Sequence, residues 1–543
     1  MTQIARSAHV DTFTRENLPP RETWPEFLFT LPELQYPAAL NCAAELLDRN
    51  VEAGHGERRC IVTDSETWTY NDLHAKSNQI ARALVDEMGL VPGNRVLLRG
   101  PNNPWLAASW FGVVKAGGVA VATMPLLRTR ELKTVVEIAG VTMAICDHRF
   151  VEDLDAAAPD GFQIFTYGGP DQDDLTNVAS TKGSKFTTVA TASDDVCMLA
   201  FTSGTTGKPK ATMHFHRDVL AIADTFARHV LQPTPHDLFA ASPPLAFTFG
   251  LGQSVVFPLR AGAAVYLLEQ PSPQHLLEAV ERHGITVLAT APTAYRAMVP
   301  DLGAARLTSL RACVSAGETL PKATWDAVHD ACGIRIVDGI GSTEMLHIFL
   351  SNRPGAVRYG TTGQPVPGYA IRLVDEAGAP VKPGDIGELQ VAGPTSAAFY
   401  WNNRERSRTT FLGEWTRSGD KYVESEDGYF TYCGRTDDML KVGGIYVAPF
   451  EVEGALLSHE SVLEAAVIGV PDALGLIKPA AFIVVKPGVT GSVVLTEMLR
   501  HHVKERLAPY KYPRTFVYVA ELPKTATGKI QRFKLRELAS KWD

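Results

Sequence analysis

The string LAFTSGTTGKPK, residues 199–210, joins an apolar run to a loop with the chemistry of a polyphosphate cradle. Gly204 and Gly207 let the backbone turn its N–H groups toward an anion. Thr202, Ser203, Thr205 and Thr206 add neutral donors, and Lys208 and Lys210 add positive charge. It is not the G-x-x-x-x-G-K-[ST] loop of P-loop kinases, because its glycines are three apart and Lys208 precedes Pro209. A surface turn also collects small polar residues, but seldom over so long a stretch of one character.

A second string, VDGIGSTE at 337–344, closes an apolar run with a glycine turn that bears a hydroxyl and a carboxylate. Thr343 there suits a phosphate, and Glu344 suits Mg²⁺, which takes carboxylate and phosphate oxygens. The same letters also describe a strand end followed by an N-capped helix. In WTRSGD at 415–420, Asp420 follows a glycine turn, where a carboxylate can accept both hydroxyls of a ribose. Gly-Asp alone is an ordinary turn. Two further strings, SAGETLP at 315–321 and GRTDDMLKVGG at 434–444, read locally as a helix start at Pro321 and a charged linker.

These strings need rigid elements to hold them. From about residue 60, short apolar stretches alternate with helical patterns. Strands are expected at 95–99, 118–122, 141–146, 196–201, 263–268, 286–290 and 310–315, and helices at 104–115 and 273–282. Such alternation predicts α/β layers with largely parallel sheets. After Gly360 the strands shorten and are broken by Gly and Pro, as at 371–374 and 388–391, which predicts a β-rich subdomain. Beyond the charged turn at 434–438, helices at 449–458 and 495–507 and strands at 465–470 and 480–485 make a domain-sized remainder.

At 543 residues the chain exceeds one core, so two or more domains are expected. With 45% apolar and 21% charged residues it has the composition of an ordinary soluble globular protein. The 52 basic and 60 acidic side chains give −8, which argues against bulk binding to nucleic acid or an anionic membrane. Seven scattered cysteines without a C-x-x-C suggest neither a disulfide framework nor a zinc site, and point to a reducing cytoplasm. The first residues, with Arg6, His9, Asp11 and Arg15 and no apolar core, do not form a secretory signal. Residues 238–259 hold 22 positions without a charge, but Pro243, Pro244, Gly250, Gly252 and Pro258 disfavour a continuous helix, so a buried wall is expected.

Taken in order, the strings resemble those of adenylate-forming enzymes: acyl-CoA synthetases, luciferases and peptide-synthetase adenylation domains. These activate a carboxylate as its acyl-adenylate and pass the acyl group to a thiol. The resemblance implies a large multi-layer N-terminal domain of α/β sheets with a β-rich subdomain (1–434), a hinge (435–438) and a small mobile α+β domain (439–543). It implies that 202–210 holds the phosphates of ATP, with Ala211 where a glycine is usual. Ala316, Gly317, Glu318, Asp338, Gly339, Ile340, Gly341 and Thr343 would surround the nucleotide, with Ile340 where an aromatic residue is common. Glu344 would hold Mg²⁺, Asp420 and Arg435 the ribose or a phosphate, and Asp437 would be the hinge.

By the same resemblance, Gly443 and Gly444 let the backbone approach the pantetheine arm of CoA, and Lys529, in PKTATGKI at 523–530, is the catalytic lysine. Adenylation builds negative charge between the carboxylate oxygen and the α-phosphate, and a mobile ammonium is a suitable clamp for it. Residues 500–543 hold eleven Lys and Arg against four acids, which suits the phosphates of CoA through Lys511 and Arg514, although a solvated helix face has the same composition.

The uncharged run 238–259 offers nothing to pair a substrate ammonium, so an α-amino acid is disfavoured and an apolar acid is favoured, with Phe249 packing on its body. Within the family, DGIGSTEMLHIFLSN at 338–352, YGTTG at 359–363 and LAPYKYPR at 507–514 are similar to benzoate-CoA ligases, and the stretch from Asp11 to Pro37 is more like 2-aminobenzoate-CoA ligases. The resemblance places Thr248, Phe249, Gly339, Gly341 and His347 around the aromatic ring. A buried aniline nitrogen wants a hydrogen-bond partner, which Thr248 or His347 could supply. The expected activity is an ATP-, CoA- and Mg²⁺-dependent ligation of benzoate or 2-aminobenzoate by a monomer or homodimer with no nucleic-acid or membrane partner. Loading of a carrier protein, or silent sensing of aryl-CoA or AMP, are the alternatives.

Overall fold

The computed structural model describes residues 6–202, 209–302, 307–318, 320–436, 438–442, 445–472, 476–524 and 530–540. The chain divides into two compact units, Met1–Ile371 with Val391–Arg417, and Arg372–Gln390 with Ser418–Asp543.

The first unit is built on two sheets. One has six strands in the order Gln163–Tyr167, Met143–Asp147, Arg95–Arg99, Val119–Thr123, Val196–Thr202 and Lys210–Phe215. All neighbours run parallel except the last pair. Arg95–Arg99 is buried at every position, as expected of a parallel strand covered on both faces. The helix Pro104–Lys115 follows it, opened by Pro104 and by the Asn103 side chain accepting from the Leu106 N–H.

The other sheet has nine strands, in the order Gln364–Pro365, Ile348–Ser351, Val337–Gly341, Ala312–Ala316, Val287–Thr290, Leu238–Ala241, Ala264–Tyr266, Arg59–Val62 and Thr67–Thr69. Its interior is parallel and its edges antiparallel. The strings at 199–210, 315–321 and 337–344 therefore run out of the carboxyl ends of strands, where parallel sheets place ligands.

The uncharged run does not become one helix, since its first residues form the strand Leu238–Ala241. Yet Gly250, Gly252 and Pro258, expected to break a helix, all lie inside the helical stretch Thr248–Leu251, Gly252–Val256 and Phe257–Arg260. Close packing explains the glycines. A Cβ on Gly250 would lie 2.0 Å from the Pro244 oxygen, and one on Gly252 would lie 2.4 Å from Cδ2 of His347. The turn Gly252–Val256 is π-wound, and Pro258 follows where the winding changes and the ordinary hydrogen-bond ladder is interrupted. No described helix is long and apolar enough to cross a membrane.

A five-stranded sheet contains Ala370–Val374, Ile386–Ala392, Trp415–Glu424 and Phe411–Leu412 in that order, with Phe430–Arg435 paired to Trp415–Glu424. Farther along the second unit, Val462–Pro471, Ile477–Val485 and Thr515–Tyr518 form a three-stranded sheet. Alternation along one strand separates two cores. Ala465 and Val467 pack with residues of the helices Pro449–Leu457 and Val493–Arg506, and Ala466 and Ile468 with Leu535 and Ala539 of Arg532–Ala539. Residues 418–434 fall in the second compact unit, where Trp415–Glu424 and Phe430–Arg435 pair from Asp420↔Arg435 to Glu424↔Phe430.

All seven cysteines are free thiols. Two that are far apart in sequence, Cys42 and Cys197, are buried with His216, their ligand atoms within 4.8 Å of one another.

Candidate active site

The strand Val337–Gly341 ends in a tight reversal. The Met345 N–H donates to the Ser342 oxygen, Leu346 to Thr343, and His347 to Met345. Leu346 is held in the left-handed region at φ 64°, a conformation that costs a non-glycine residue about 1–2 kcal/mol and is kept where the surroundings demand it. Gly341 is required by contact, since a Cβ there would lie 2.5 Å from the His347 carbonyl oxygen.

The reversal is fixed from two sides. His214, fully buried on Lys210–Phe215, places Nε2 2.8 Å from the Thr343 carbonyl oxygen. The Ala397 N–H donates to the Glu344 oxygen at 2.7 Å, and the Tyr400 hydroxyl donates to the Glu344 carboxylate. Burial, then the charge of Glu344, holds the Tyr400 phenol far above its usual range, so it stays a donor. Lys210, in register with Thr202 across the hairpin strands, places Nζ 5.1 Å from the centre of the Tyr400 ring. The ends of the glycine-rich string and the acidic string thus meet at Tyr400.

His347 sits among three rings, with centroids 5.4 Å from Phe226, 5.4 Å from Phe249 and 4.6 Å from Phe257. It is buried, and neither ring nitrogen meets hydrogen-bonding geometry with another group among the described residues, although the Phe249 backbone stands close enough to oppose the fall in its pKa. Burial lowers its pKa to about 3, which leaves a neutral imidazole with one donor and one acceptor. Thr248, also buried, opens the helix that carries Phe249.

The strands Ala312–Ala316 and Val337–Gly341 set Ser315 beside Asp338 and Ala316 beside Gly339. Gly317 follows at φ 94°, and Glu318 accepts from the Thr293 hydroxyl at 3.1 Å. Ile340 is half-buried and in register with Leu350. Although Asp338 as a residue is half-buried, its Oδ1 is sealed from solvent and unpartnered. Burial pushes this carboxyl up to about 7, with the Ser315 hydroxyl pulling the other way.

A folded-state value above the ordinary 3.8 means that the fold favours the protonated acid, so its stabilising contribution is full below pH ~4 and is lost as pH rises through ~7. Asp338→Asn is therefore expected to be more stable than the native chain above pH ~7 by about 1–3 kcal/mol, with the gap closing toward pH ~4. Chemical denaturation across that range measures it, and a gap that does not vary with pH would contradict the burial of Oδ1.

In the second unit, Asp420 and Arg435 face each other in register, with Nη1 3.0 Å from Oδ1. Gly419, at φ 74°, admits the guanidinium, since a Cβ would lie 2.8 Å from its Nη2. Lys511 is ion-paired to Glu451, and Arg514 lies 3.6 Å from the centre of the Tyr512 ring. Ser203, Gly204, Thr205, Thr206, Gly207, Lys208, Asp437, Gly443, Gly444 and Lys529 lie outside the described residues. Sequence reasoning passed over His214 and Tyr400, which no local pattern marks.

Residues 47–401 match the model of the AMP-binding enzyme family, and residues 451–529 match that of the AMP-binding enzyme C-terminal domain. The chain is 43% identical to the benzoate–CoA ligase of Thauera aromatica over 93% of its own length and 98% of that protein. Among solved structures it resembles the anthranilate CoA ligase AuaEII in complex with anthranoyl-AMP, with a TM-score of 0.88 and 38% identity over 94% of this chain and 99% of that one. It also resembles a benzoate CoA ligase from Burkholderia xenovorans LB400, with a TM-score of 0.84 and 40% identity over 92% and 100%. With both family models in chain order and near-complete coverage on both sides, the chain belongs to the AMP-binding enzyme family, in its group of AMP-forming carboxylate–CoA ligases.

Proposed function

We propose that the chain ligates an aryl carboxylate, 2-aminobenzoate or benzoate, to CoA through an acyl-adenylate, as a cytoplasmic monomer or homodimer. The observation that carries this reading is the packing of Phe226, Phe249 and Phe257 on His347, which stands three residues after Glu344 on the same reversal. An aryl ring can join such a cluster by edge and face contacts, while the neutral imidazole and the absence of charge in 238–259 offer no partner for an ammonium group.

In the first step the carboxylate oxygen attacks the α-phosphate of ATP, the acyl-adenylate forms and pyrophosphate departs. Residues 202–210 cradle the phosphates, the Thr343 hydroxyl donates to a phosphate oxygen, and the Lys529 ammonium meets the growing charge. Ala316, Gly317, Glu318, Gly339, Ile340 and Gly341 border the adenine, whose exocyclic amine suits the bare Oδ1 of Asp338. Asp420 and Arg435 take the ribose. In the second step the C-terminal residues turn about Asp437, CoA enters past Gly443 and Gly444 with Lys511 and Arg514 near its phosphates, and its thiol displaces AMP.

Glu344 fits Mg²⁺ because it is a half-buried carboxylate already oriented by Tyr400, and one such group with phosphate oxygens is a usual donor set for this ion. When bound, the ion supplies positive charge to the triphosphate. A hydrogen bond to a charged acceptor is worth about 1.5–3 kcal/mol. Tyr400→Phe is therefore expected to lower kcat/KM for ATP about tenfold or more at limiting Mg²⁺ and less at saturating Mg²⁺. Steady-state kinetics at two Mg²⁺ concentrations measure this, and equal loss at both would remove Tyr400 from the metal's support.

The reading is tested by pyrophosphate release with benzoate, its 2-, 3- and 4-substituted forms, phenylacetate and short fatty acids, with CoA and no protein acceptor. Turnover of aryl acids with CoA thioester as product is expected. Thioester formation only on an added carrier protein would favour the loading reading instead.

A further inference from the structure

We propose that Cys42, Cys197 and His216 form a buried site for one Zn²⁺, held by two thiolates and an imidazole, that fastens residue 42 to the hairpin of Val196–Thr202 and Lys210–Phe215. None of the three residues belongs to the candidate active site, and nothing in their arrangement depends on the ligase reading.

Folding gathers the three from distant segments. Cys42 follows the bridge Ala39↔Ala192, Cys197 lies on Val196–Thr202, and His216 opens the helix His216–Ile222 directly after Lys210–Phe215. All are buried, with exposures of 0%, 0% and 1%, and their ligand atoms lie within 4.8 Å of one another. The pairing of the hairpin slips between Val196 and Met198, and a bulge of this kind re-aims the side chain it carries, here that of Cys197.

A tetrahedral Zn²⁺, with Zn–S of about 2.3 Å and Zn–N of about 2.0–2.1 Å, sets its ligand atoms about 3.6–3.8 Å apart. Sγ of Cys42 is 3.3 Å from Nδ1 of His216, so that edge has to open only slightly. The ion needs no separate cavity, because it sits among atoms from which the two thiol protons have gone. The Cys42 N–H donates to Nδ1 at 3.2 Å, which marks Nδ1 as the unprotonated nitrogen whose lone pair passes to the ion. Two S–H bonds thus give way to two Zn–S bonds and one Zn–N bond, and two protons leave. The His214 carbonyl oxygen, 3.5 Å from Sγ of Cys197, is at hand as a fourth donor. Soft thiolates disfavour Mg²⁺ and Ca²⁺, and charge selects Zn²⁺ over Cu⁺. Two thiolates with Zn²⁺ sum to zero, whereas Cu⁺ would leave a negative charge uncompensated in a sealed interior.

Protein produced with Zn²⁺ in the medium, purified under a thiol reductant and washed with a mild chelator, tests this by elemental analysis and zinc-edge X-ray absorption. About one zinc per chain is expected, with two sulfur neighbours at about 2.3 Å and a nitrogen at about 2.0–2.1 Å. Cys42→Ser and Cys197→Ser should each lower the retained zinc about tenfold or more, since even an outer-shell partner is worth about 10–100-fold in affinity. Cys60→Ser, which alters a buried thiol outside the cluster, should keep it. If a serine variant fails to fold, the X-ray absorption of the native chain still decides. A native chain without zinc, zinc held by oxygen alone, zinc unchanged in both cluster variants, or an equal loss in Cys60→Ser overturns the proposal.

Discussion

Lys529→Ala is expected to slow acyl-adenylate formation by about 10²–10³, the usual loss when one preorganised charge-stabilising donor is removed. On the proposed mechanism the ammonium acts on charge that exists only as the carboxylate closes on the α-phosphate, so the expected loss lies in kcat, with KM for ATP and for the acid changed little. The described residues on either side of it are tied together. Lys524 and Ile530 form a β-bridge, and the Gln531 N–H donates to the Pro523 oxygen at 2.8 Å. Single-turnover adenylation separates the role from its alternatives when compared with thioester formation from a supplied aryl-adenylate. The second reaction should proceed within about threefold of native. Intact adenylation with lost thioesterification would reassign Lys529 to the CoA step.

Gly341→Ala is expected to lower kcat/KM for the aryl acid by about 10²-fold and stability by about 1–3 kcal/mol. The new Cβ would lie 2.5 Å from the His347 oxygen, 2.6 Å from its carbonyl carbon and 2.7 Å from the Ile348 nitrogen. These are backbone atoms and cannot rotate away, so the strand end or the reversal carrying Thr343, Glu344 and His347 must shift. Gly252→Ala offers the comparison. Its Cβ meets the His347 ring, a side chain with some freedom, so KM for the acid should rise with kcat less affected. Kinetics on both variants with thermal melts check the pair, and native-like turnover by Gly341→Ala would show that the reversal tolerates displacement.

What could be read in the sequence follows from how local each signal is. The parallel strands are unbroken apolar runs, as at Arg95–Arg99, and the helix Pro104–Lys115 carries its own opening in Asn103 and Pro104, so these were legible. The string at 337–344 stood out as a glycine turn bearing a hydroxyl and a carboxylate, that at 315–318 drew notice only through the family resemblance, and their meeting in adjacent strands follows from the alternation of strand and helix. Tyr400 was not, because its partner Glu344 is 56 residues away and no periodicity links them.

Nor was the helix that runs through Gly250, Gly252 and Pro258. Intrinsic propensity opposes it, while close approach to Pro244 and His347 selects residues that propensity disfavours. The basic excess of 500–543 is partly matched in the same way by residues distant in sequence. Lys511, Lys524, Arg532 and Arg536 pair with Glu451, Glu464, Glu453 and Asp438, all outside that window. Counting charge along the chain cannot see partners brought together by folding.

The imidazole of His347 takes up a proton only near pH 3. On the aryl-acid reading, the group at the heart of the aromatic cluster therefore keeps one charge state from weakly acid to neutral solution, and the order of preference among acids is expected to hold across that span.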